Sequence, residues 1–170
     1  RKVLQKERRG TLFVDTQRKL NFYLRALWGR DFFLRPTAAD YEGFKPYVEH
    51  HVLHLPDAVD AIGNVTGAEL YRAQAAHLAA HVSYTSSAIS AEQLSPAQMF
   101  FIGLAEDARV EYQAMRDFPG LRKLWRNLMT TEYAGKVEHP SVETLEHFAL
   151  MLLDPAVQSE DSQLNELAIR

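Results

Sequence analysis

One segment limits the possible folds more than any other: "SPAQMFFIGLAEDARVEYQAMRDFPG", residues 95–120. Ser95 is a helix cap, and Pro96 stands at the first helical position, where its missing N–H costs nothing. Pro119 and Gly120 stop the run. Between them the sequence predicts a long helix that is apolar nearly all round, through Phe100, Phe101, Ile102, Leu104, Ala105, Ala108, Val110 and Tyr112. Such a helix is expected at the centre of a fold, covered by others. Yet Glu106, Asp107, Arg109 and Glu111 stand in its middle, and buried charge is costly unless paired or bound to metal.

The rest of the chain supplies helices to surround it. "TGAEL" opens a helix over about 67–84, with Thr66 as cap and Glu69 completing a capping box. Residues 15–28 repeat Leu20, Tyr23, Leu24, Leu27 and Trp28 at helical spacing and end on Gly29. "LRKLWRNLM" is an amphipathic helix, with Leu121, Leu124 and Trp125 inward and Arg122, Lys123 and Arg126 in water. Another helix starts at Ser141 and stops at Pro155, and the tail "SEDSQLNELAIR" has a weaker helical pattern.

Extended structure is confined to residues 31–56. "DFFLRPTAADYEGFKPY" carries the breakers Pro36, Gly43 and Pro46, and "HHVLHLP" has strand character and pairs with "FFLR". The expected fold is mainly α, α+β at most: one helical domain over 1–170 with one short β-hairpin. Within it, 1–35 form a basic helical region and 66–128 the core helices. "SYTSSAISAEQLS" is a polar connector between the two longest of them.

A chain of 170 residues buries one real core, and its 46% apolar content is ordinary for a globular protein. It has no cysteine, which excludes disulfides, thiolate metal sites and cysteine nucleophiles and fits a cytoplasmic location. No apolar run approaches the ~18 residues of a membrane span. The start, "RKVLQKERRG", lacks a signal-peptide core. A first residue Arg in place of Met leads us to expect a piece of a longer chain.

Charge is uneven. Residues 1–35 hold ten Lys or Arg against three Asp or Glu, and the remainder nine against nineteen. In "QRKLNFYLRALWGR" the basic residues alternate with apolar ones as on a solvated helix face, so no nucleic-acid partner is expected.

The candidate chemistry lies in "AAHLAAH", residues 75–81. His77 and His81 fall on one stripe with Leu70, Ala73 and Tyr84, so both imidazoles reach a single ion. Zinc or iron then takes a carboxylate as third ligand, and Glu106 is the candidate, with Asp107, Arg109 and Glu111 as a supporting polar cluster. Gly103, one turn before Glu106, gives room for a close neighbour. In zinc peptidases a glutamate follows the first histidine as general base on metal-bound water. Here Leu78 stands there and accepts no proton.

Two readings of these residues stay open: a metal site without its base, or core histidines beside an internal ion-pair network. His50, His51 and His54 in "EHHVLHLP" admit a second metal site or a partly exposed strand, on which His50 and His54 face opposite to His51. His139 and His147 stand alone. Nucleotide-binding glycine loops, a Gly-x-Ser-x-Gly elbow and a von Willebrand A metal motif are all absent.

"LPDAVDA", "YRAQAAHLAAHVSY" and "IGLAEDARVEYQAMRDFPGLRKLW", within about residues 53–126, together resemble the segment preceding the von Willebrand A domain in the NorD/CbbO family. The resemblance implies the helical N-terminal part of an adaptor for a MoxR-type AAA+ ATPase, acting on Rubisco or nitric oxide reductase as client. A similar pairing of His-x-x-x-His with Glu-Asp-x-Arg-x-Glu in cobaltochelatase-type relatives implies a decayed zinc-peptidase, zincin-like scaffold. His77, His81, Glu106, Asp107, Arg109 and Glu111 are its signature positions here. The implied function is non-enzymatic.

Overall fold

The structure, a computed structural model, describes residues 10–37, 46–87, 90, 92–132, 140–154 and 156–168. It is mainly α, with six helices and five short strands among the described residues. The chain divides into two compact units, Arg1–Ser83 and Tyr84–Arg170.

The first unit opens with strand β1 (Thr11–Leu12) and helix α1 (Phe13–Trp28). α1 ends where Gly29 takes a left-handed conformation, φ 68°, and donates its N–H to the Arg25 carbonyl. Strands β2 (Phe33–Thr37), β3 (Tyr47–Glu49), β4 (Val52–Pro56) and β5 (Ala58–Val59) follow, then α2 (Gly67–Tyr84), whose last residue belongs to the second unit. β4 is the centre of a three-stranded sheet, parallel to β2 and antiparallel to β3, and β1 pairs antiparallel with β5. The expected pairing of "FFLR" with "HHVLHLP" is therefore present, with Phe33 opposite Val52 and Leu34 opposite Leu53, but it is parallel, and the hairpin is formed by β3 and β4 instead.

More strand structure forms than the one expected hairpin. β1 and β5 are two residues each, too short to leave a period-two signal. His50 and His51 also depart from the expectation. They lie in the β3–β4 turn with φ of 48° and 63°, so only His54 of the three occupies a strand. A two-residue hairpin of this hand needs positive φ at both central positions, which normally selects Asn or Gly.

Alternation along the sheet sends Leu34, Leu53 and Leu55 into the core. They join Phe13, Leu20 and Leu24 of α1 and Leu70 and Tyr71 of α2, all buried. Full burial of each Leu or Phe contributes roughly 1.5–3 kcal/mol. The Phe13 and Tyr71 rings meet edge-on at 6.1 Å, and the Tyr71 hydroxyl donates to the Pro56 carbonyl at 2.8 Å. Burial is the main reason the Tyr71 phenol is pushed well above its ordinary pKa.

α2 begins as its sequence predicts. The Thr66 hydroxyl accepts from the Glu69 N–H, and the Glu69 carboxylate accepts from the Thr66 N–H and hydroxyl. Those bonds hold the Glu69 carboxyl below the usual range. Gly67 sits where α2 crosses the β1–β5 pair. A Cβ there would overlap the Thr11 side chain and lie 3.0 Å from the Val59 carbonyl oxygen.

The second unit holds α3 (Pro96–Asp117), α4 (Gly120–Glu132), α5 (Pro140–Leu153) and α6 (Ser162–Ala168). The Ser95 cap forms as predicted, with Gln98 closing a capping box. α3 packs on α4 and α5, α4 on α5, and α5 on α6. Val110, Ala114, Met115, Leu121, Trp125, Met151 and Leu153 form the core. α4 and α5 are tied by an ion pair, Arg126 Nη1 to Asp154 Oδ2 at 3.0 Å.

The expectation that α3 is central and covered is corrected. Three of its 22 residues are buried, against nine of 18 in α2. α2 buries Leu70, Tyr71 and Leu78 with five alanines, whereas Phe100, Phe101 and Tyr112 of α3 stand exposed, because burial is set by what packs over a helix.

Candidate metal centre and polar cluster

α2 positions the histidine pair. His77 and His81 are one turn apart, half-buried on one face, with ring centroids 4.8 Å apart at 74°. Each offers a ligand nitrogen, and these lie within 4.8 Å of one another. With Zn–N bonds of about 2.0–2.1 Å, two nitrogens share one ion only when they lie within about 4.2 Å of each other.

Between them in sequence, Leu78 is only 3% exposed. Ala75, Ala79 and Ala80 of the same helix are fully buried too. The position that carries the general base in a His-Glu-x-x-His helix is here part of the hydrophobic core.

α3 positions the acidic cluster, and the second unit engages much of it. Arg109 grips Glu106 through two bonds, Nε to Oε2 at 2.7 Å and Nη2 to Oε1 at 2.8 Å. Its Nη2 also donates to the Tyr84 carbonyl at 3.0 Å. Thr85 Oγ1 donates to Glu106 Oε1 at 2.6 Å. Both oxygens of this carboxylate are thus engaged. The fork on Glu106 holds the Arg109 guanidinium more firmly in its charged form.

These side chains are not the buried charges that the apolar surroundings of "EDARVE" lead one to expect. The Arg109 side chain is 42% exposed and that of Glu106 25%. Asp107 and Glu111 are half-buried on the same helix. Gly103 has no heavy atom within 4 Å of where a Cβ would stand, so the close approach expected there is absent.

Comparison with protein-family models, with curated proteins and with solved structures finds no match. The site's chemistry therefore rests on its own residues.

Two partners of the cluster escaped the sequence reading. Thr85 lies in a polar connector where nothing distinguishes it from Ser83, Ser86 or Ser87. Tyr84 reaches Asp117 Oδ2 with its hydroxyl at 2.9 Å. That bond, with Arg116, holds the Asp117 carboxyl below the usual range.

The other histidines divide. His54 is buried on β4 and stacks on Tyr47 at 4.5 Å, 2° from parallel, with Nε2 3.7 Å from Glu49 Oε2. Among the described residues, His50, His51 and His54 do not gather as three metal ligands. His147 Nε2 lies 3.2 Å from the Gln158 carbonyl oxygen. His139 lies outside the described residues.

Proposed function

We propose that this chain is a non-enzymatic adaptor domain that works with a MoxR-type AAA+ ATPase on a client enzyme. The family reading comes from the resemblance of residues 53–126. The observation that supports its non-enzymatic character is the burial of Leu78, which leaves no proton acceptor where a zinc hydrolase of this pattern keeps its base. The Glu106 carboxylate, held by Arg109 and Thr85, serves to order the start of the second unit.

The test is association of the purified chain with a MoxR-type ATPase, followed by sedimentation in the presence of ATP. Co-migration is the expected result. Separate migration at every ratio of the two proteins removes the docking proposal.

A metal-binding role is the second reading, favoured by the His77–His81 geometry. Zinc or iron takes the two imidazoles and completes its shell with oxygen ligands. On this reading the purified chain carries about one equivalent of zinc or iron by elemental analysis, and His77→Ala releases it. Metal-free protein after purification without chelators, and no thermal shift on adding zinc, remove this reading and leave the first intact.

A further inference from the structure

His147 stands alone in the sequence, yet it lines a cleft of about 320 Å³ in the second unit, between α5 and the segment that leads into α6. That volume is at the lower end of those that hold small ligands. His147, Ser159 and Leu164 are half-buried and form its inner part. Thr144, Gln158 and Glu160 are exposed and form its rim. Thr144 precedes His147 by three residues, so both belong to one face of α5.

The polar groups of the cleft are mostly acceptors. A carbonyl oxygen only accepts, so the 3.2 Å contact between His147 Nε2 and the Gln158 carbonyl places the ring proton on Nε2. Nδ1 of the neutral ring is then a lone-pair acceptor. Glu160 adds a carboxylate, and Ser159 and Thr144 add hydroxyls. Ser159 is held by three bonds. Its N–H donates to Asn165 Oδ1 at 2.8 Å, its carbonyl accepts from Asn165 Nδ2 at 2.8 Å, and its Oγ accepts from the Asp161 N–H at 3.1 Å. A ligand therefore meets a wall that is already ordered.

The sign of the ligand follows from charge. Residues 137–169 hold seven Asp or Glu and no Lys or Arg, which disfavours an anion. Arg126, which reaches this segment from α4, is paired with Asp154. Among the described residues, His147 and Glu160 do not gather with a third metal ligand. A cation that brings its own N–H donors fits instead. Guanidinium offers a planar fork suited to two parallel bonds on one carboxylate. An ammonium offers three donors to separate acceptors, and the cleft supplies separate ones: an imidazole nitrogen, a hydroxyl and a carboxylate.

We propose that this cleft binds a primary ammonium group, carried by a small free amine or by a lysine side chain of a partner. The site lies in the second unit alone and needs neither the adaptor reading nor the histidine pair of α2.

Nuclear magnetic resonance of the isotope-labelled full chain, titrated with diaminobutane, tests the proposal. The His147 ring and the Ser159 amide are expected to shift and to saturate at about millimolar concentration, the affinity of a ligand this small. Tetramethylammonium has the charge without N–H donors, and butanediol the length without the charge. Both are expected to bind at least about tenfold more weakly, the loss of a charge-assisted hydrogen bond. His147→Ala removes the imidazole acceptor and weakens amine binding about tenfold. Glu160→Gln, at an exposed position, leaves the rest of the spectrum unchanged and weakens it about threefold. A single lysine blocked at both ends separates the two sources. Binding of diaminobutane without the blocked lysine assigns the site to a free amine, and comparable binding of the lysine assigns it to a partner's side chain. No saturable shift with either amine, an equal response to tetramethylammonium, or amine binding indifferent to both substitutions overturns the proposal.

Discussion

Arg109 shows how far local chemistry and apparent importance can diverge. It makes three hydrogen bonds, two of them to one carboxylate, in a segment whose apolar neighbours suggest burial. Because its side chain is 42% exposed, the pair with Glu106 is screened, and such pairs contribute at most about 1 kcal/mol. Arg109→Ala is therefore expected to lower stability to unfolding in urea by no more than about 1 kcal/mol. A loss of about 3–5 kcal/mol, the scale of a broken buried pair, would restore the picture of an internal network. The spacing of His77 and His81 was legible in the sequence because four residues fix a helical angle. The exposure of Glu106 and Arg109 was not, because exposure depends on what packs over the helix and not on its own composition. Nor was the His50–His51 turn legible, since no Asn-Gly or Asp-Gly announces it.

Helix ends were the most readable elements. Thr66 with Glu69, Ser95, and Gly29 act through bonds that close within a few residues, so spacing alone predicted two capped starts and one stop, though not the part of Gln98 in the second cap. Gly67 looks in sequence like an ordinary first residue of a helix. Its reason is the nearness of Thr11 and Val59, some distance away along the chain. Between elements, the bond joining α4 to the end of α5 has a consequence in acid. Asp154 accepts from Arg126 and from the Ala156 N–H, and Arg126 chiefly holds its carboxyl below the ordinary range. A depressed folded-state pKa stabilises the protein above the unfolded carboxylate value, about 3.9 for Asp, and that stabilisation is lost as pH falls below it toward the folded value. Asp154→Asn is expected to flatten the stability profile between about pH 4 and pH 2 relative to the natural chain, read from urea midpoints. Parallel profiles for the two proteins would show that this bond contributes nothing to acid sensitivity.

For the whole molecule, the mainly helical fold followed from capped, periodic segments, and the distribution of the core did not. Each unit gathers its own interior: Leu20, Leu53, Leu55 and Tyr71 in the first, Val110, Leu121, Trp125 and Met151 in the second. Leu55→Ala is expected to cost about 2–5 kcal/mol, the range for a buried leucine cut to alanine. Hydrogen exchange is expected to place the lost protection in residues 10–83. Equal loss in α4 and α5 would show that the two interiors melt as one. Among the described residues no helix is long and apolar enough to cross a membrane.

The alanines of α2 also bear on what this chain could become by mutation. A carboxylate at position 78 would stand where Leu78 is 3% exposed, and burying an unpaired carboxylate is costly, so the variant would lose stability. On this helix, a base at position 78 and a closed interior exclude each other.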